Sequence, residues 1–220
     1  MDMNRRQLAS RIDHTLLRPE ASGEEILSLC ATAKELGAAS VCINPRFVAL
    51  AAESLRDSGV MVCTVVGFPL GSMTSAAKAF ETAQAVADGA EEIDMVLAVG
   101  ALKEHDYDYV SADVRAVVEA AQGRTVKVIF ETCLLSNEDI IAACRICEGA
   151  EAQFIKTSTG FSSAGATLEH VRLMKAHAGP MQVKAAGGIR TLSQALAMLA
   201  AGADRLGCSA TREILNGLEP

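Results

Sequence analysis

Tryptophan is absent and aromatic residues make up only 4% of the 220-residue chain, so any core must be assembled from Ala, Val, Ile, Leu and Met. Material for one is plentiful: 50% of the residues are hydrophobic and the mean hydropathy is positive, at +0.24. No apolar run approaches the ~20 residues that span a bilayer, so no membrane-crossing helix is expected. Met1 to Arg11 is polar and lacks the apolar stretch of a secretory signal. Positive charge is in deficit. A net charge of −7 repels phosphate backbones and argues against nucleic acid as a partner. Histidines are few, at positions 14, 105, 170 and 177, and form no H-x-H or H-E-x-x-H grouping. Metal-dependent catalysis needs clustered ligands, so no metal site is expected. His14 is placed near the mouth of any pocket, and the other three read as solvated helix residues.

Cysteine is not lacking, but its seven copies are an odd number and lie mostly inside apolar runs. With no secretory leader evident, reduced thiols in a cytoplasmic protein are expected. Cys144 and Cys147 form a C-x-x-C within a helical pattern, with no second ligand pair nearby, which speaks against zinc.

Linkers and low-complexity tracts are also missing, so residues 1–220 read as a single domain. A repeated pattern runs through them instead. Apolar runs occur at 40–43, 60–66, 92–96, 125–130, 153–156, 182–184 and 204–207. Most are preceded by a glycine suited to ending a helix: Gly37, Gly59, Gly89, Gly123, Gly149, Gly179 and Gly202. Between them, 24–36, 76–87, 109–121, 139–147, 168–176 and 192–201 carry apolar residues at helical spacing. A short strand at 11–16 completes eight strands. Near-continuous apolar strands suit a parallel sheet covered on both faces. The fold class expected is α/β, a single (β/α)8 TIM barrel. An open doubly wound sheet is the alternative, but its G-x-G-x-x-G fingerprint is absent.

In such a barrel, chemistry collects at the C-terminal ends of the strands. Four charged residues fall there: Asp13, Asp94, Lys156 and Lys184. Lys156 and Lys184 end neighbouring strands, ~5 Å apart. If both point inward, like charge and desolvation lower a lysine pKa and favour the neutral, nucleophilic amine of a Schiff-base enzyme. Asp94 interrupts its strand, where an unpaired carboxylate is costly. It suits pairing with Lys184 and moving protons to or from a substrate hydroxyl, though a purely structural ion pair also fits. Asp13 fits the same role, or a cap on the turn leaving the first strand.

Gly187-Gly188 and Gly207-Cys208-Ser209 end the last two strands, where this fold commonly holds a phosphate on backbone amides and a helix N-terminus. Gly160 offers a further amide. Thr157 and Cys42, also at strand ends, are assigned to the substrate-binding residues, with Cys42 expected to face the pocket.

Asp13-His14-Thr15-Leu16-Leu17, Val41-Cys42-Ile43-Asn44-Pro45, Gly67-Phe68-Pro69-Leu70-Gly71, Glu92-Ile93-Asp94-Met95-Val96, Phe154 to Phe161 and Lys184 to Arg190 together resemble, in order and along nearly the whole chain, the deoxyribose-phosphate aldolase family. The resemblance implies reversible cleavage of 2-deoxy-D-ribose 5-phosphate to acetaldehyde and D-glyceraldehyde 3-phosphate. It assigns the imine to Lys156, perturbation of that lysine to Lys184 and a proton relay to Asp94. It also implies deoxynucleoside catabolism in the cytoplasm, no metal or organic cofactor, and a homo-oligomer, dimer or tetramer. Two positions depart from the family pattern. Ala98 stands where Asn is common, and Ala210 removes a hydroxyl from the final Gly/Ser run, which puts phosphate affinity or substrate preference in question. The alternatives are a related Schiff-base lyase with another aldehyde substrate, and a phosphosugar-binding barrel without turnover.

Overall fold

The structure, a computed structural model, describes residues 3–218. Eight parallel strands close a barrel in chain order: β1 (Ile12–Leu16), β2 (Ser40–Ile43), β3 (Met61–Val66), β4 (Glu92–Val96), β5 (Thr125–Ile129), β6 (Phe154–Lys156), β7 (Gln182–Ala186) and β8 (Arg205–Cys208). Closure is through β8 on β1, with Ile12 opposite Leu206 and Asp13 opposite Gly207. The helices are α1 (Arg5–Ala9), α2 (Gly23–Leu36), α3 (Val48–Ser54), α4 (Ser75–Ala87), α5 (Val99–Lys103), α6 (Tyr107–Ala120), α7 (Asn137–Gly149), α8 (Leu168–His177), α9 (Leu192–Ala200) and α10 (Thr211–Asn216). None among the described residues is long and apolar enough to cross a membrane.

Local signals account for the long elements. At α2, Ser22 and Glu25 form a capping box, which satisfies amides of the first turn. At its other end Gly37 takes the left-handed conformation (φ 70°), which ends the helix just upstream of β2. The expected stop at Gly149 differs. Gly149 stays helical, and Glu151 adopts positive φ (60°) in its place. Helices α1, α3 and α5 were not legible as periodic segments, because five or seven residues are too few turns to display a period.

Successive strand residues point to opposite faces. Outward residues such as Ile93, Met95, Val126, Val128 and Val183 pack with Val110, Val114, Val117, Ile140 and Met174 of the helices in one continuous apolar layer. The barrel interior is different. It holds a small cluster of Leu17, Cys42, Cys63 and Val65 under Phe68, and a group of buried charged side chains.

Candidate active site

The inward positions of six strands bring seven ionisable side chains into one buried network. Asp94 is its hub. Its Oδ2 accepts from Lys156 Nζ and from Lys184 Nζ, both at 2.7 Å, and its Oδ1 accepts from Lys127 Nζ at 2.9 Å. Strand register explains the meeting. Lys156 lies directly opposite Lys184, and Asp94 opposite Lys127. Below Asp94, Lys184 also pairs with Asp13 Oδ2 at 2.5 Å, and Lys127 pairs with Glu92 Oε2 at 2.6 Å. Arg205 closes the base of the network on Asp13 Oδ1 at 2.6 Å and on Glu92 at 3.4 Å.

Burial alone would push these carboxyls up and these lysines down. At Asp13, Asp94, Lys127 and Lys184 the network reverses that direction. Burial opposes the charge of Asp94, but Lys127, Lys156 and Lys184 together hold its carboxyl well below the usual range. Asp13 is likewise held down against burial, by Lys184, Lys127 and Arg205. Lys184 follows the same pattern as the carboxyls, with the sign reversed. Burial pulls its pKa down, but Asp13 and Asp94 outweigh burial and raise it.

A cavity of about 420 Å³ opens above this network at the C-terminal ends of the strands. Of the three lysines on Asp94, only Lys156 reaches its wall. Gly160, Gly187, Gly188, Gly207 and Ser209 line the same cavity, as their places at strand ends suggest. Gly187 and Gly188 both take left-handed φ, at 90° and 82°, a backbone course that a side chain would strain. Gly207 answers a close approach instead. A Cβ there would stand 2.9 Å from Ala186 Cβ and 3.2 Å from Lys184 Cε. Arg18 and Arg190 join the wall from the rim; Arg18 is already paired with Glu20 and Glu25.

Thr157, Cys42 and His14 sit elsewhere than the sequence suggested, and Asp13 takes the ion-paired place that was one of its two expected roles. Thr157 is fully buried with its hydroxyl spent on the Ala186 backbone, donating to the carbonyl at 3.2 Å and accepting from the amide at 3.1 Å. Cys42 points inward but does not line the cavity; its Sγ lies 4.0 Å from Asp94 Oδ2, beneath Leu17. A hydrogen bond from Cys63 lowers the Cys42 thiol pKa against burial, with help from Lys184 and Lys156. Asp13 is neither a turn cap nor a cavity residue, but an ion-paired residue within β1. His14 faces outward from β1, with Nδ1 2.8 Å from Thr211 Oγ1, and not toward the mouth.

Lys127, Glu92, Arg205 and Cys63 were missed. The signal for Lys127 was present: a charge within Thr125-Val126-Lys127-Val128-Ile129 breaks the strand as Asp94 breaks β4. Lys127 also fills the place where Asp13, Glu92, Asp94 and Cys63 converge. Its Nζ lies 3.3 Å from Cys63 Sγ, so an internal ammonium takes up donors that would otherwise suit a metal cation.

Residues 8–217 match the sequence pattern of the DeoC/LacD family of aldolases. The chain is 55% identical over 214 residues to the deoxyribose-phosphate aldolase of Streptococcus sanguinis (strain SK36), covering 97% of each chain. It is 55% identical over 212 residues to that of Bdellovibrio bacteriovorus, covering 96% of each. Its fold superposes with a TM-score of 0.91 on a tetrameric deoxyribose-phosphate aldolase from Aeropyrum pernix, at 32% identity, covering 97% of this chain and 91% of that one.

Proposed function

We propose a mechanism from one premise: this chain belongs to the DeoC/LacD family of aldolases. Its activity is that of a deoxyribose-phosphate aldolase, a lyase that reversibly cleaves 2-deoxy-D-ribose 5-phosphate to D-glyceraldehyde 3-phosphate and acetaldehyde in deoxyribonucleoside catabolism. The whole chain is read as one catalytic unit.

The observation that carries the mechanism is that, among the described residues, Lys156 alone links the cavity to the Asp94 hub. Charge counting supports the choice. Three carboxylates (Asp13, Glu92, Asp94) face four cations (Lys127, Lys156, Lys184, Arg205), so a neutral Lys156 amine leaves the interior balanced. That amine attacks the C1 aldehyde of the open-chain sugar, and loss of water gives a protonated imine. Asp94, directly or through a water, takes the proton from the C3 hydroxyl. The C2–C3 bond then breaks, its electron pair passes into the imine to form an enamine, and glyceraldehyde phosphate leaves. Protonation at C2 and hydrolysis release acetaldehyde and restore the amine. Lys184, which shares Asp94 Oδ2 with Lys156, keeps positive charge beside the nucleophile and relays protons with Asp94. Gly160, Gly187, Gly188, Gly207 and Ser209 form the wall that takes the phosphate, so remote binding energy positions the reacting end.

Borohydride trapping with 2-deoxyribose 5-phosphate, followed by peptide mapping, tests this. A reduced two-carbon remnant on Lys156 is expected; folded enzyme with no adduct there rules the covalent route out. Lys156→Ala is expected to lower kcat by at least about a thousandfold while the circular dichroism spectrum is retained.

A cytoplasmic location is part of the same reading, supported by seven unpaired cysteines. So is a homo-oligomer, dimer or tetramer, supported by strongly exposed Leu70 and Phe80. Sedimentation equilibrium would return a single protomer mass if that assignment is wrong.

A further inference from the structure

Two residues beyond β5, the chain places Glu131 in the left-handed region, at φ 55° and ψ 60°. A side chain persists there only when its surroundings enforce it. Glu131 is also 4% exposed and makes no ion pair among the described residues. A carboxylate buried without a cation has to be hydrogen-bonded. Both of its oxygens are used, and on a single residue: Oε1 accepts from the Thr159 amide at 3.2 Å, and Oε2 accepts from the Thr159 hydroxyl. Thr159 Oγ1 in turn accepts from the Phe161 amide at 3.0 Å.

This chain of bonds holds one end of the segment between β6 and α8, the segment that carries Thr159, Gly160 and Phe161 along the cavity wall. The other end is held by backbone. The Ala166 amide donates to the carbonyls of Ala186 and Gly187, both at 3.1 Å, and Gly165 lies so near Gly187 that a Cβ would come within 2.2 Å of its carbonyl oxygen. Gly160 turns between the two anchors at φ 86°. Phe161 also meets the Phe68 ring edge to face, with centroids 5.2 Å apart.

We propose that Glu131 is a positioning residue, which clamps Thr159 so that the Gly160–Phe161 backbone keeps its place on the wall that takes the substrate phosphate. The negative charge of Glu131 cannot itself serve an anion, so its use lies in geometry. The inference rests on the reading of that wall as the phosphate site.

Steady-state kinetics of Glu131→Ala, Glu131→Gln and Thr159→Val, each with 2-deoxyribose 5-phosphate and with 2-deoxyribose, separate the two ideas. Wild-type enzyme is expected to prefer the phosphorylated sugar. Glu131→Ala raises KM for that sugar about tenfold and leaves kcat within about threefold. Its kcat/KM for 2-deoxyribose stays within about threefold of wild type. Glu131→Gln, which still offers Oε1 to the Thr159 amide, recovers most of the loss. Thr159→Val reproduces it and adds nothing in the double variant with Glu131→Ala. Equal losses on both sugars, a change confined to kcat, or an unchanged KM overturns the role of Glu131. If Glu131→Ala does not fold, Glu131→Gln and Thr159→Val decide on the same readings. A wild-type enzyme indifferent to the phosphate removes the phosphate-site reading, and this inference with it.

Discussion

Along β4 and β5, Ile93, Met95, Val126 and Val128 join the apolar layer under the helices, while Glu92, Asp94 and Lys127 between them enter the ionic interior. The two faces are built on different terms. The outer face needs apolar volume, which many residues supply and neighbours can partly share when one is trimmed. The inner face needs particular partners, because a buried charge that loses its counterion keeps the whole desolvation penalty. Stability therefore resides mainly in one face and chemistry in the other, one residue apart on the same strand.

The sharpest way to break this division is Asp94→Asn. It removes the hub of three lysines and is expected to lower kcat/KM by about a thousandfold. It also destabilises the fold by about 3 kcal/mol, since the cations stay buried. Val128→Ala, in the outer layer of the adjacent strand, is expected to cost on the order of 2 kcal/mol of stability and to leave kcat near wild type. Denaturant melts and kinetics on the two variants check the contrast, which collapses if Val128→Ala lowers kcat as far as Asp94→Asn does.

The pH dependence of melting separates the faces again. Asp13 and Asp94 have folded pKa values below their unfolded ones, so their stabilisation is present above the unfolded value of about 3.9 and is lost as pH falls through the depressed folded values. Lys184 is raised, so its stabilisation is full below about pH 10 and is lost only as pH climbs through the folded value. These groups should leave the melting temperature level between about pH 5 and 9 and lower it in acid. Asp94→Asn should flatten the acid slope; an unchanged slope would place the proton uptake elsewhere.

Two smaller changes probe the join between the faces. Gly207→Ala puts a methyl 2.9 Å from Ala186 Cβ and 3.2 Å from Lys184 Cε, and is expected to reduce kcat/KM by about tenfold and to lower the melting temperature by a few degrees. Ala98, one of the two departures from the family pattern, is the uncapped N-cap of α5. Asp106, at a similar backbone angle (ψ 69° against 76°), caps α6 through the Tyr109 amide. Ala98→Asn is therefore expected to add about 0.5–1 kcal/mol to stability. Ala210 likewise stands as the uncapped N-cap of α10, so both departures fall at helix starts.

The alternation of strands and helices is legible in the chain alone, because helix period, capping residues and terminal glycines are local properties of it. Lys156, Lys184 and Asp94 are legible too, because a charge within or at the end of an apolar run is conspicuous. How those charges are spent follows from the closed barrel instead. Lys184 and Asp94 are 90 residues apart, and Lys127, Glu92 and Arg205 come between and below them through barrel closure and strand register. The same geometry turned Thr157 and His14 to other partners and, of the three lysines on Asp94, brought only Lys156 to the cavity. Coulomb energy depends on distance in space, and the chain order carries that distance only after the barrel has closed.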